Sequence, residues 1–161
     1  MKQITLKKKA KQRENVNIEE IDYNNSILLI NNLFLDISNI NTNEMIKIKK
    51  ELETKIKGYK SQDIKKNIYQ ESKLITYNDL IEKLVISKLK CYYCRTNVKL
   101  LYNIVRDDNQ WTLDRINNDL CHSTENTIIC CLKCNLKRRN INSEKFNFTK
   151  KLQLNKINKI E

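Results

Sequence analysis

Cys91-Tyr92-Tyr93-Cys94 and, with residues 95–130 between them, Cys131-Leu132-Lys133-Cys134-Asn135 decide how this chain is read. Four thiolates in two Cys-x-x-Cys pairs suit a tetrahedral zinc ion. Each pair grips the metal from one tight turn, and the ion ties two distant segments together. A lone pair would be equally compatible with a redox centre or with buried thiols. Two pairs, in a chain with no visible secretory signal, point to structural zinc on Cys91, Cys94, Cys131 and Cys134. Cys130 adjoins Cys131 on an expected strand, so the two side chains should point to opposite faces. Cys130 then faces the core and Cys131 the metal, while Cys121 reads as an incidental loop thiol.

Between the pairs stand Trp111-Thr112-Leu113-Asp114-Arg115-Ile116 and Asn126-Thr127-Ile128-Ile129. Asn126 comes eleven residues after Arg115 and nine before Asn135, and Cys131 follows it by five. In these residues the chain resembles the HNH (His-Me finger) endonuclease family in its zinc-bracketed form. That family reads Cys-x-x-Cys, an Asp-His step ending a strand, then Asn-x-x-x-x-Cys-x-x-Cys followed by Asn or His. The resemblance covers residues 91–139, about a third of the chain. It implies a ββα finger holding one divalent ion against a phosphodiester. By the same resemblance Asp114 and Asn135 are ligands of a catalytic Mg²⁺ or Mn²⁺, and Asn126 braces the loop and orients residue 115. A carboxylate and a carboxamide are hard oxygen donors of the kind Mg²⁺ takes. Beside a zinc turn, the same residue types also serve simply as helix caps or loop acceptors.

The family's catalytic histidine position is occupied by Arg115. A guanidinium has no acceptor atom and cannot take a proton from water. Three accounts follow. His122, the one histidine of the chain, can be a displaced base. Metal-bound water can dispense with a side-chain base, leaving Arg115 to hold a phosphate. Or the scaffold has lost catalysis and only binds.

Charge is the strongest global signal, with 31 Lys and Arg against 19 Asp and Glu for a net +12. Such an excess calls for a polyanion. Nucleic acid, read as double-stranded DNA, fits better than a membrane, because no amphipathic stretch carries a bulky apolar anchor face. Expected phosphate contacts are Arg115 and the cations Lys133, Lys137, Arg138 and Arg139, extended by Lys145, Lys150 and Lys151, with Lys7, Lys8 and Lys9 as an N-terminal cluster. A solvated surface enriched in Lys and Asn by an AT-rich coding sequence is the plain alternative. No run reaches the ~18 apolar residues of a membrane span. With no signal peptide in view, an intracellular protein (cytoplasm or nucleus) is expected, not a secreted one.

The chain has no Pro and one Gly, Gly58, so its turns must come from Asn, Asp and Ser. Residues 1–15 read as a disordered basic tail and 16–75 as a mainly helical basic extension. Residues 76–152 read as the zinc-bound ββα domain and 153–161 as a tail. The apolar run 26–38 is ambiguous between helix and strand. Asn41 and Glu44 can form a capping box for a helix bearing Met45, Ile48, Leu52 and Ile56, with Gly58 ending it and a shorter helix holding Ile64 and Ile68. Thr76 and Asp79 suit a second box, before Leu80, Ile81, Leu84, Val85 and Leu89. Strands are expected over 98–105, 110–116 and 127–130, and helices over 132–139 and from Ser143 onward.

The fold class expected is therefore α+β: a zinc-stabilised ββα-metal finger behind a helical basic extension. The function expected from the resemblance is metal-dependent hydrolysis of DNA phosphodiester bonds by an HNH-type endonuclease or nickase. The alternative is a non-catalytic, zinc-containing nucleic-acid-binding protein on a degenerate HNH scaffold.

Overall fold

The computed structural model describes residues 11–13, 21–37 and 42–152. Among these the chain is α+β, with five α-helices and one two-stranded antiparallel sheet. The expected basic cluster Lys7, Lys8 and Lys9 lies outside the described residues.

The ambiguous apolar run is helix α1, Tyr23–Phe34, capped by the Asp22 side chain. Helix α2, Asn43–Lys65, is capped by Thr42 rather than Asn41 and runs unbroken through Gly58. Glycine is only a weak helix breaker. Buried Tyr59 and Asp63 on its far side hold the last turns in place. Two helices were expected here, and tertiary packing makes them one.

Helix α3, Tyr77–Ile86, starts with the full Thr76–Asp79 capping box. It ends before Leu89 because Lys88 and Leu89 take left-handed backbone, φ 50° and 48°, which swings Leu89 fully into the core. Residues 98–105 are not a strand. Val98, Leu100 and Tyr102 alternate inward as a strand would. Their backbone, however, finds only isolated bridges, Lys99 to Gln110 and Ile104 to Gln12. Alternation reports burial, and a strand also needs a continuous partner.

Strand β1, Trp111–Arg115, pairs antiparallel with β2, Thr127–Cys131, in the register Trp111 to Cys131 and Arg115 to Thr127. Helix α4, Leu132–Arg138, follows directly, with the Cys131 sulfur accepting from the Cys134 N–H as its cap. Helix α5, Ser143–Lys151, is capped by Asn142 and buries Phe146 while leaving Phe148 exposed. Residues two apart on a helix lie on different faces, hence the split.

One apolar core joins these elements. Ile30 and Leu33 of α1, Met45, Ile48 and Leu52 of α2 and Leu80 and Leu84 of α3 share it with Trp111, Leu113 and Ile129 of the sheet. At 25 cal/mol per Å², each fully buried aliphatic side chain adds about 1.5–3 kcal/mol. The helical extension and the cysteine-bearing segment thus fold around shared apolar surface, with no gap in the core near residue 75.

Candidate active-site cleft and metal centre

The turn after α3 presents Cys91 and Cys94. Its backbone is closed by Arg95 N–H donating to the Cys91 carbonyl, with Arg95 at φ 62°. Tyr92 N–H donates to the Ile129 carbonyl and so ties this turn to β2. The end of β2 and the first turn of α4 present Cys131 and Cys134. The four sulfurs lie within 4.8 Å of one another. None is in a disulfide. The 3.8 Å between the Cys94 and Cys131 sulfurs matches the edge of a tetrahedron with metal–sulfur bonds of about 2.3 Å.

The electrostatics point the same way. A bond from Cys131 pulls the Cys91 thiol far below its ordinary range, and the Cys131 thiol is pushed far above it in return. Burial and the neighbouring thiolate push Cys134 up to about 12. These three thiols thus perturb one another at close range. Among the described residues these four form the group suited to a metal ion, and their donor set fits zinc. Cys130 is fully buried with its sulfur 3.3 Å from the Thr112 hydroxyl, and Cys121 is also buried; neither joins the cluster.

Beside this centre, α2 faces the sheet and α4 across a cleft of about 590 Å³. A stripe of polar side chains one helical turn apart fastens α2 to the opposite wall. Glu51 accepts from the Tyr102 hydroxyl (2.5 Å) and from Arg13 (2.8 Å). Lys55 donates to the Trp111 carbonyl and sits 4.1 Å over the Trp111 ring. Burial lowers its pKa to about 7. The Tyr59 hydroxyl accepts from Leu113 N–H at 2.9 Å. The Asp63 carboxylate, fully buried, accepts from His122 N–H (2.7 Å) and lies 2.7 Å from the His122 ring Nδ1.

The cleft brings together Arg115, His122, Asn135 and Asp114. Arg115 donates to the Leu120 carbonyl at 3.3 Å and lies 3.6 Å from Asp63. The His122 ring packs on Tyr59 at 4.6 Å, and burial lowers its pKa against the opposing pull of Asp63. Asn126 does not touch Arg115 directly. Its Nδ2 donates to the carbonyls of Asn117, Leu120 and Cys121, and its Oδ1 accepts from Asn117 N–H. It thereby holds the 117–121 loop that carries Arg115's acceptor and leads into His122.

Asn135 donates through Nδ2 to the Thr112 hydroxyl (3.1 Å) and the Leu113 carbonyl (3.3 Å). Asp114 is 3% exposed, and both of its oxygens are taken. Arg138 Nε and Nη2 donate to them at 2.6 and 2.7 Å, and the Tyr93 hydroxyl donates at 2.7 Å. Its nearest cation is therefore a fixed guanidinium, and a divalent ion does not fit beside it as the residues stand.

Arg138 is also the correction to the expected row of phosphate-binding cations. Its side chain is 2% exposed and donates to Asp114, Asn118 and the carbonyls of Arg115 and Ile141. Lys137 and Arg139 are exposed, as is Lys133, which lies 3.9 Å from Asp108. Lys66, exposed at the C-terminal end of α2, lines both this cleft and a wider groove that continues past Asn117, Asn118 and Asn140.

Lys55, Tyr59 and Lys66 line the cleft and Asp63 backs it, and the sequence reading named none of the four. The signal was there: Glu51, Lys55, Tyr59 and Asp63 recur every fourth residue beside the apolar stripe. No described helix is long and apolar enough to cross a membrane. Comparison with known protein families, curated proteins and solved structures returned no match.

Proposed function

We propose that this chain is an HNH-type endonuclease that binds double-stranded DNA in the cleft between α2 and the ββα unit and hydrolyses a phosphodiester there, with structural zinc on the four cysteines. One observation carries the reading. Arg115 and Asn135, singled out by the motif, and His122, the candidate displaced base, line the same cleft together with the exposed cations Lys66 and Arg139. Such a surface attracts and orients a phosphate backbone.

Arg115 and Lys66 would neutralise the phosphate, and His122 would take the proton from the attacking water. Asp114, closed by Arg138 and Tyr93, takes no part in this step as the residues stand. Asn135 keeps its Oδ1 free of protein donors among the described residues, and so remains the better oxygen donor of the two.

The filled Asp114 carboxylate favours a second reading, in which the fold binds DNA without cutting it. Nicking of supercoiled plasmid by the zinc-loaded protein, with and without Mg²⁺ or Mn²⁺, separates the two. Nicking that requires the added ion supports the nuclease. Salt-sensitive binding without nicking, in wild type and in Arg115→His alike, leaves the binding module.

A further inference from the structure

Helix α2 contributes more to the cleft than a basic wall. Its Asp63 is fully buried, accepts from the His122 backbone N–H at 2.7 Å and lies 2.7 Å from ring Nδ1. A carboxylate has no proton to give, so the hydrogen of the ring bond must sit on Nδ1. The other ring nitrogen, Nε2, then carries a lone pair. No described residue donates to it, and the ring lines the cleft. The ring is further fixed by Tyr59, stacked at 4.6 Å. This is the arrangement a general base needs: one nitrogen anchored by a buried acceptor, the other with its lone pair left to accept a proton.

We propose that Asp63 is the positioning residue that fixes the His122 tautomer, so that Nε2 is the proton acceptor of the cleft and α2 completes the catalytic site. The proposal rests on the nuclease reading above. In the step it describes, the water oxygen forms a new bond to phosphorus and its proton passes to Nε2. The bond from phosphorus to the leaving nucleoside oxygen breaks, and that oxygen takes a proton from solvent. The imidazolium afterwards returns its proton to solvent, so nothing is left unbalanced. Burial supports this direction of use, because it disfavours the charged ring and keeps the resting imidazole neutral. The charged groups facing the ring are Asp63 and Lys66 from α2 and Arg115 from β1.

The lone histidine makes the test direct, since every imidazole ¹⁵N signal of the full-length, zinc-loaded chain belongs to His122. At pH 8 the wild-type spectrum should show a protonated Nδ1 and a bare Nε2, and Asp63→Asn should lose that fixed pattern. The amide is isosteric and still offers an oxygen to the His122 N–H. In plasmid nicking, Asp63→Asn should fall roughly 10²–10⁴-fold in rate with DNA affinity unchanged. His122→Ala should fall as far and recover in part with added imidazole, which a structural role would not allow. An Nε2-protonated wild-type ring overturns the proposal. So does a wild type that nicks no faster than Asp63→Asn, with the nuclease reading left standing. A wild type that nicks under no condition overturns both. If Asp63→Asn fails to fold, the wild-type tautomer and the imidazole rescue still decide.

Discussion

The two walls of the cleft each bury an aspartate, and they use it differently. On the sheet side, Asp114 meets Arg138 at 2.6 Å, with Tyr93 completing its bonds. On the α2 side, Asp63 meets His122 at 2.7 Å, with Arg115 at 3.6 Å. A guanidinium stays charged at every working pH, so the first pair is a permanent brace between β1 and α4. An imidazole changes charge near neutrality, so the second pair leaves a group able to accept a proton. Two residues of the same type, both buried, thus hold a permanent ion pair on one side and a titratable pair on the other. The partner decides which.

The four-cysteine cluster, suited to zinc, underlies the Asp114–Arg138 strut. Cys131→Ser or Cys134→Ser should abolish metal binding and unfold residues 91–138, since coordination in small cysteine-rich units is worth about 10–16 kcal/mol. Elemental analysis and far-ultraviolet circular dichroism read both effects. A variant that keeps its fold with no zinc would break the dependence of the Asp114 wall on the metal.

Next in size comes the strut itself. Arg138→Ala strands a buried carboxylate and should cost about 3–5 kcal/mol of stability in urea titration. Asp63→Asn keeps a hydrogen-bond acceptor beside His122 and should cost less, about 1–3 kcal/mol. A larger loss for Asp63→Asn would reverse the comparison and make α2 the stronger brace.

Acid should act through the His122 side. The folded-state pKa of His122 lies below its ordinary value of 6.5, so the unfolded chain binds the proton first as pH falls. Stability supplied by the neutral ring is present above about pH 6.5 and is lost as pH falls toward the folded pKa. His122→Asn should flatten this part of the stability profile between pH 8 and 5. An identical acid limb in wild type and His122→Asn would remove His122 from the cause.

Gly58 gives the smallest effect. A methyl group there meets nothing within 4 Å, and the residue sits mid-helix in the cleft wall. Gly58→Ala should stabilise the chain by about 0.5–1 kcal/mol in thermal melts, with DNA binding unchanged. Weaker DNA binding would instead mean that the substrate passes close to α2 at this point.

By itself the sequence determined what is local. Each Cys-x-x-Cys sets its own turn, so the four-cysteine cluster was legible from spacing. The order of β1, β2 and α4 was legible from the resemblance of residues 91–139 to a known motif, and the Thr76–Asp79 box from four residues. Local rules also misled. Gly58 was read as a stop although Tyr59 and Asp63 beyond it are buried, and inward alternation over 98–105 was read as a strand although its backbone lacks a continuous partner. Tertiary structure alone decided the partners of the polar site residues. Asp114 looked like a metal ligand until Arg138, one helix later, closed on it. His122 and Asp63 stand 59 residues apart, and no spacing rule joins them. Periodicity states which face of an element is buried, while a buried charge takes its role from whichever group the packed fold sets within hydrogen-bond reach, and that choice depends on how α2 docks against the sheet.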